Sequence, residues 1–222
     1  GMIRHAEQKV VPAVAAYGTA ADESLLGDSR RPEVKDGTLR LLRFSEPGAV
    51  QPLGILVQWN CHPEALGDRN TLITADFPAA TIAALVARWK CPIAYFTGAV
   101  GGLMAPPGKR IRDEQGRLLG SGDFEFARCY GLAVADLADR ALAQAQPMAL
   151  APFRISARTI LVPMENVLYR TARLVGVVRR QGRVWMGDCD QLGEPTSLRN
   201  ADKLMGIETE VAYLRLGDLP VA

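Results

Sequence analysis

A strand–helix–strand pattern in the first half of the chain most constrains what it can fold into. The run "LGILVQWN" (53–60) is continuously apolar, as expected of a central strand buried on both faces. Residues 76–89 then place Ile82, Leu85, Val86 and Trp89 at helical spacing, which predicts a helix. Asp76 is suited to accept hydrogen bonds from the free amides of the first turn, and Pro78 is tolerated there. Cys91-Pro92 ends that helix, and "IAYFTG" (93–98) reads as a second buried strand. Strands alternating with helices predict an α/β fold built as layers.

The flanking segments extend this frame. A short strand is expected near 13–19, and 20–37 reads as a loop rich in Asp, Gly, Pro and Arg. "TLRLLRF" (38–44) alternates apolar and polar residues, and the turn "EPGAVQP" joins it to 53–60, so the two predict a hairpin. That hairpin makes the sheet mixed rather than purely parallel. The Gly- and Pro-rich stretch 98–122 predicts a long loop, which in a compact domain is usually functional. A second helix is predicted over 123–145, with Phe124, Ala127, Val134, Ala138 and Ala141 on its apolar stripe. "FRISARTILVP" (153–163) and 207–218 read as strands and 164–178 as a third helix, while 183–207 gives no clear pattern. With no internal repeat and no linker, the expectation is one domain over 1–222: a mixed β-sheet flanked by helices.

Composition removes several classes of function. With 48% hydrophobic and 23% charged residues the chain is expected to fold in water. A formal charge of +2 and scattered Lys and Arg argue against nucleic acid as a partner. No run of 18 apolar residues predicts a transmembrane segment. The four cysteines, Cys61, Cys91, Cys129 and Cys189, form no CxxC pair, so nothing suggests a zinc ribbon.

The candidate chemistry sits in two loops that each follow a strand. One carries Asn60-Cys61-His62-Pro63-Glu64, and the other "TGAVGGLMAPP" (97–107). Ligands in open α/β sheets collect at the carboxyl ends of strands, so neighbouring parallel strands would bring both loops to one crevice. His62, one of two histidines, is the candidate metal ligand, and Asn60, Gly101 and Gly102 are the candidate substrate-binding residues. Structural readings stand beside these: a histidine capping a strand, and a packed glycine turn. Cys61 and His62 are sequence neighbours at a strand end and point apart, which disfavours a thiolate–imidazole pair. "GAVGG" (98–102) matches neither a P-loop nor a GxGxxG fingerprint.

At these loops the chain resembles the neutral/alkaline, non-lysosomal ceramidase family. The resemblance lies in "VQWNCHPEALGDRNTLITADFPAA" (57–80) and "AYFTGAVGGLMAP" (94–106), and collinear likeness continues in "DGTLRLLRF", "VPMENVLYR" and "IETEVAYLRLGDL". It implies a zinc-dependent hydrolase of lipid amides, cleaving N-acyl sphingosine to sphingosine and fatty acid. The family's zinc takes two histidines, a glutamate and a tyrosine. His62 matches one of those histidines, and the other three ligands are expected outside this chain, as for an internal fragment of a divergent member. The fragment alone is then expected to hold no tight zinc, to be inactive, and to self-associate through exposed sheet edges. The family's serine nucleophile falls on Met104, whose thioether cannot attack a carbonyl. The alternative is a non-catalytic binding or structural relative of the hydrolase.

Overall fold

The β3–β4 hairpin is the seed of the architecture. Thr38–Ser45 (β3) and Pro52–Trp59 (β4) pair antiparallel, from Arg40 opposite Gln58 to Ser45 opposite Pro52. In this computed structural model, which describes residues 2–101, 104–196 and 204–221, the chain divides into two compact units, Gly1–Ala149 and Leu150–Ala222.

The first unit opens with a short helix, Met2–Glu7 (α1), and a strand, Val14–Ala21 (β1), which pairs antiparallel with β3. The segment read as loop holds a short 3-10 turn at Glu23–Leu25 and a two-residue strand, Gly27–Asp28 (β2). Beyond β4 come the helix Asp76–Trp89 (α2) and the strand Ile93–Thr97 (β5), which lies parallel to β4. Met104–Ala105 (β6) pairs with β2, Phe124–Ala143 forms the long helix α3, and Gln146–Met148 (β7) returns to β1. The sheet order is β5-β4-β3-β1-β7, and the β4–β5 pair makes it mixed. The fold is α/β.

Alternation along the strands decides where the core lies. Ile55, Val57 and Trp59 of β4 and Leu39 and Leu41 of β3 point to one face and are buried, joined there by Phe77 and Leu85 of α2 and Phe126, Tyr130 and Val134 of α3. Leu56 and Gln58 point the other way and keep some solvent contact, so β4 is not buried on both faces. Nor is β5: it ends the sheet, and Ala94, Phe96 and Thr97 are exposed. Its apolar composition cannot separate an edge strand from a central one, since both read as short apolar runs. Phe124 is also exposed, because the buried stripe of α3 starts at Phe126, after the cap in which Asp123 Oδ1 accepts the Phe126 amide at 2.6 Å. The two helices touch at Gly131, where an added Cβ would stand 2.6 Å from the Phe77 carbonyl and 2.7 Å from Ala80 Cβ.

The second unit is a ribbon with short additions. Phe153–Pro163 (β8) is followed by Val167–Leu174 (α4), Gly182–Val184 (β9), Pro195–Thr196 (β10), Met205–Leu216 (β11) and Leu219–Val221 (β12). β8 and β11 pair antiparallel over eleven residues, Phe153 opposite Leu216 through Pro163 opposite Gly206. β9 and β12 pair with the two ends of β11. Asn166 caps α4 by accepting the Tyr169 amide at 3.0 Å. The third helix expected over 164–178 is therefore present but shorter. Among the described residues no helix is long and apolar enough to cross a membrane.

Candidate functional site

Parallel pairing of β4 and β5 sends both chain ends out of the same side of the sheet, with Trp59 opposite Thr97. The loops that follow are stitched together at once. The Gly98 amide donates to the Trp59 carbonyl at 2.9 Å, and the His62 amide donates to the Met104 carbonyl at 2.9 Å. The condition for a shared crevice at the strand ends is met.

Asn60 is the knot between these loops. It is fully buried, and its Oδ1 accepts from the Gln58 side-chain amide at 2.7 Å and from the Ala99 backbone at 2.9 Å. Its Nδ2 donates to the Asp36 carbonyl at 2.9 Å. The amide is thus engaged in bracing three segments against one another. Gly98 is required here, because a Cβ would overlap the Gln58 amide and Asn60 Oδ1. Gly101 is exposed, with open space around the position a Cβ would take. Gly102 lies outside the described residues.

His62 is placed differently from its neighbours. Its side chain is about a third exposed at 32%, between the buried Cys61 and the exposed Pro63 and Glu64. Nδ1 lies 3.9 Å from Glu64 Oε1, beyond hydrogen-bond reach but within reach of an ionic contact when the ring is protonated. The ring is neither packed in the core nor held by a hydrogen bond among the described residues.

Beneath the loop lies a buried polar cluster. Trp59 Nε1 donates to the Tyr130 hydroxyl at 3.0 Å, and that hydroxyl donates to the Leu25 carbonyl at 2.8 Å. The Tyr95 hydroxyl is buried without a partner among the described residues, and burial pushes its pKa and that of Tyr130 well up. Burial likewise pushes the Cys61 thiol up to about 12, so it stays neutral and is neither nucleophile nor thiolate ligand at ordinary pH. Cys61 and His62 form no catalytic pair.

Asp76 does something the sequence did not indicate. Its Oδ1 accepts from Ala65 at 3.0 Å and from Phe77 at 2.7 Å, and its Oδ2 accepts from Leu66 at 3.0 Å. The carboxylate mainly serves the His62 loop rather than the first turn of α2. No local pattern flags a contact made across ten residues of irregular chain. Met104 is buried, with its thioether in the core cluster and its carbonyl turned to His62.

The donors here do not complete a metal site. Zinc sites take at least three protein ligands. His62 and Glu64 offer two, the oxygens of Asp76 are spent on amides, and no trio of potential ligands among the described residues includes His62. The trio that does occur, Asp188, Cys189 and Asp190, is exposed in the second unit. That unit also holds an open cavity of about 280 Å³ lined by Arg180, Gln181, Gly182, Arg183, Pro195 and Glu208.

The fold is shared with solved ceramidase structures. A neutral ceramidase from Pseudomonas aeruginosa superposes with a TM-score of 0.63 at 16% identity, over 98% of this chain and 41% of that one. A structure described as ceramidase complexed with C2 gives 0.59 at 15% identity, over 98% of this chain and 42% of that one. The chain therefore has a ceramidase-like fold and spans about two fifths of the length of these structures. No protein-family model and no curated protein sequence matches it.

Proposed function

We propose that this chain is the His62-bearing part of a ceramidase-like hydrolase acting on an amide, with N-acyl sphingosine or a related lipid amide as the substrate class. The observation that carries the reading is the pairing of a partly exposed, unbonded imidazole with a glycine turn at the ends of parallel β4 and β5, within a ceramidase-like fold. Gly101, with open space where a Cβ would stand, offers close backbone approach to a substrate, and Asn60 contributes by bracing the loops. In a longer protein His62 serves as one zinc ligand among others. The residues of this chain do not hold the metal by themselves, and no tight zinc is expected on it.

Met104 favours a second reading, a binding or structural relative without hydrolytic chemistry. A buried thioether offers no nucleophile where the family resemblance places a serine.

Zinc content and hydrolysis of a fluorogenic N-acyl sphingosine test the two readings. The chain should be inactive and hold well under one zinc after dialysis against a weak chelator. A longer product of the same gene should hydrolyse the substrate and lose that activity in His62→Ala. A longer product that carries full zinc yet cleaves no lipid amide would sink the first reading. Stoichiometric zinc retained by the chain alone would overturn the ligand count.

A further inference from the structure

We infer that Asp76 is a positioning residue for His62. The inference rests on His62 being the working group of the site. His62 is fixed on one side by its own amide, which donates to the Met104 carbonyl. On the other side Ala65 and Leu66, whose side chains are buried and of which Ala65 also accepts from the Gly122 amide at 2.8 Å, are gripped through their amides by the two oxygens of Asp76.

The grip is anchored in the rigid part of the unit. Phe77, the next residue, is fully buried and meets Tyr130 edge-on with ring centroids 4.7 Å apart. The backbone of Asp76 is left-handed, with φ 54°, and its own amide donates to Thr74 Oγ1 at 3.0 Å. In this conformation the carboxylate reaches back to residues 65–66 while Oδ1 also accepts the Phe77 amide. Aspartate, asparagine and glycine tolerate the left-handed region better than other residues, and only aspartate brings two acceptor oxygens to two amides. Position 76 therefore meets two demands at once, a backbone demand and a bidentate acceptor demand.

Two substitutions separate these demands. Asp76→Gly keeps the backbone and deletes the grip, whereas Asp76→Asn keeps the backbone and one acceptor oxygen. The chain carries two histidines, so ring ¹⁵N spectra contain two sets of signals, assigned with His62→Gln, and His5 serves as the internal reference. In Asp76→Gly the Ala65 and Leu66 amides should exchange at least about tenfold faster, as expected for loss of a charge-assisted bond. The His62 ring signals should shift or broaden, while His5 and the β3–β4 amides stay unchanged. Asp76→Asn should restore part of both effects, and it carries the test if the glycine variant does not fold. Unchanged His62 ring signals despite faster exchange at Ala65 and Leu66 would overturn the positioning role. Unchanged exchange at those two amides would overturn the grip itself. Neither readout uses metal or substrate, so the result stands apart from whether the hydrolase reading holds.

Discussion

Replacing Asn60 with alanine tests whether the two loops are held by one side chain. The substitution removes the acceptor for Gln58 Nε2 at 2.7 Å, the acceptor for the Ala99 amide at 2.9 Å, and the donor to the Asp36 carbonyl at 2.9 Å. A net hydrogen bond is worth about 1 kcal/mol, and a buried group left unpaired costs about 1 to 3 kcal/mol more. Ala99 is exposed and Asp36 half-buried, so water can reach the orphaned groups and the lower bound applies. The sum is about 3 kcal/mol, a large share of the 5–15 kcal/mol that holds an ordinary domain together. Gln58→Ala is the control: it removes one of the three bonds and should cost about 1 kcal/mol. Urea unfolding followed by tryptophan fluorescence reads both, since Trp59 and Trp89 lie in the first unit, and the midpoint should fall without a change in slope. If Asn60→Ala costs no more than Gln58→Ala, the bracing argument is wrong and Asn60 is available for another role.

Two other outcomes follow from the same core. The folded state keeps the Cys61 thiol protonated up to about 12, against 9.0 for a free thiol, and burial also raises Tyr95 and Tyr130. Each raised group stabilises the fold below its unfolded pKa and loses that contribution as pH climbs past it. Stability should therefore fall from about pH 9 upward, by up to about 1.4 kcal/mol per pH unit for each ionising group, and Cys61→Ala should delay the onset in urea titrations at pH 7 to 11. Gly131→Ala should cost roughly 1–3 kcal/mol by thermal unfolding, because α2 and α3 must separate to admit a Cβ that stands 2.6 Å from the Phe77 carbonyl. A neutral or stabilising alanine would contradict that contact.

The parts of the fold written in local periodicity were legible. α2 occupies the residues its apolar spacing indicates, and the β3–β4 hairpin and the β8 strand follow their alternation and turn residues. What periodicity cannot carry is the position of a strand in a sheet. β5 is apolar enough to be central, yet pairing on one side alone leaves Phe96 in solvent. Within the region 183–207, β9 and β10 are two or three residues long, too short for any period to register. In the site, the meeting of the two loops was legible as a condition on strand direction. The bond from Asp76 to Ala65 and Leu66 was not, because an acidic residue before an apolar helix looks the same in sequence whether it caps the helix or reaches back across a loop.

That difference bears on how the site is built. The buried cluster of Trp59, Cys61, Tyr95 and Tyr130 gives the floor rigidity but no reactive group, since burial keeps every titratable member neutral. On the proposed reading reactivity comes from the rim, and among the candidate residues His62 is the ring that is both open to solvent and unbonded. A ring in that state is useful only if its backbone is fixed, because a free imidazole on a free loop spends binding energy on ordering itself. The Met104 carbonyl, the Asn60 knot and the Asp76 carboxylate supply that order from three directions, using backbone amides and a buried amide that leave the imidazole itself unencumbered.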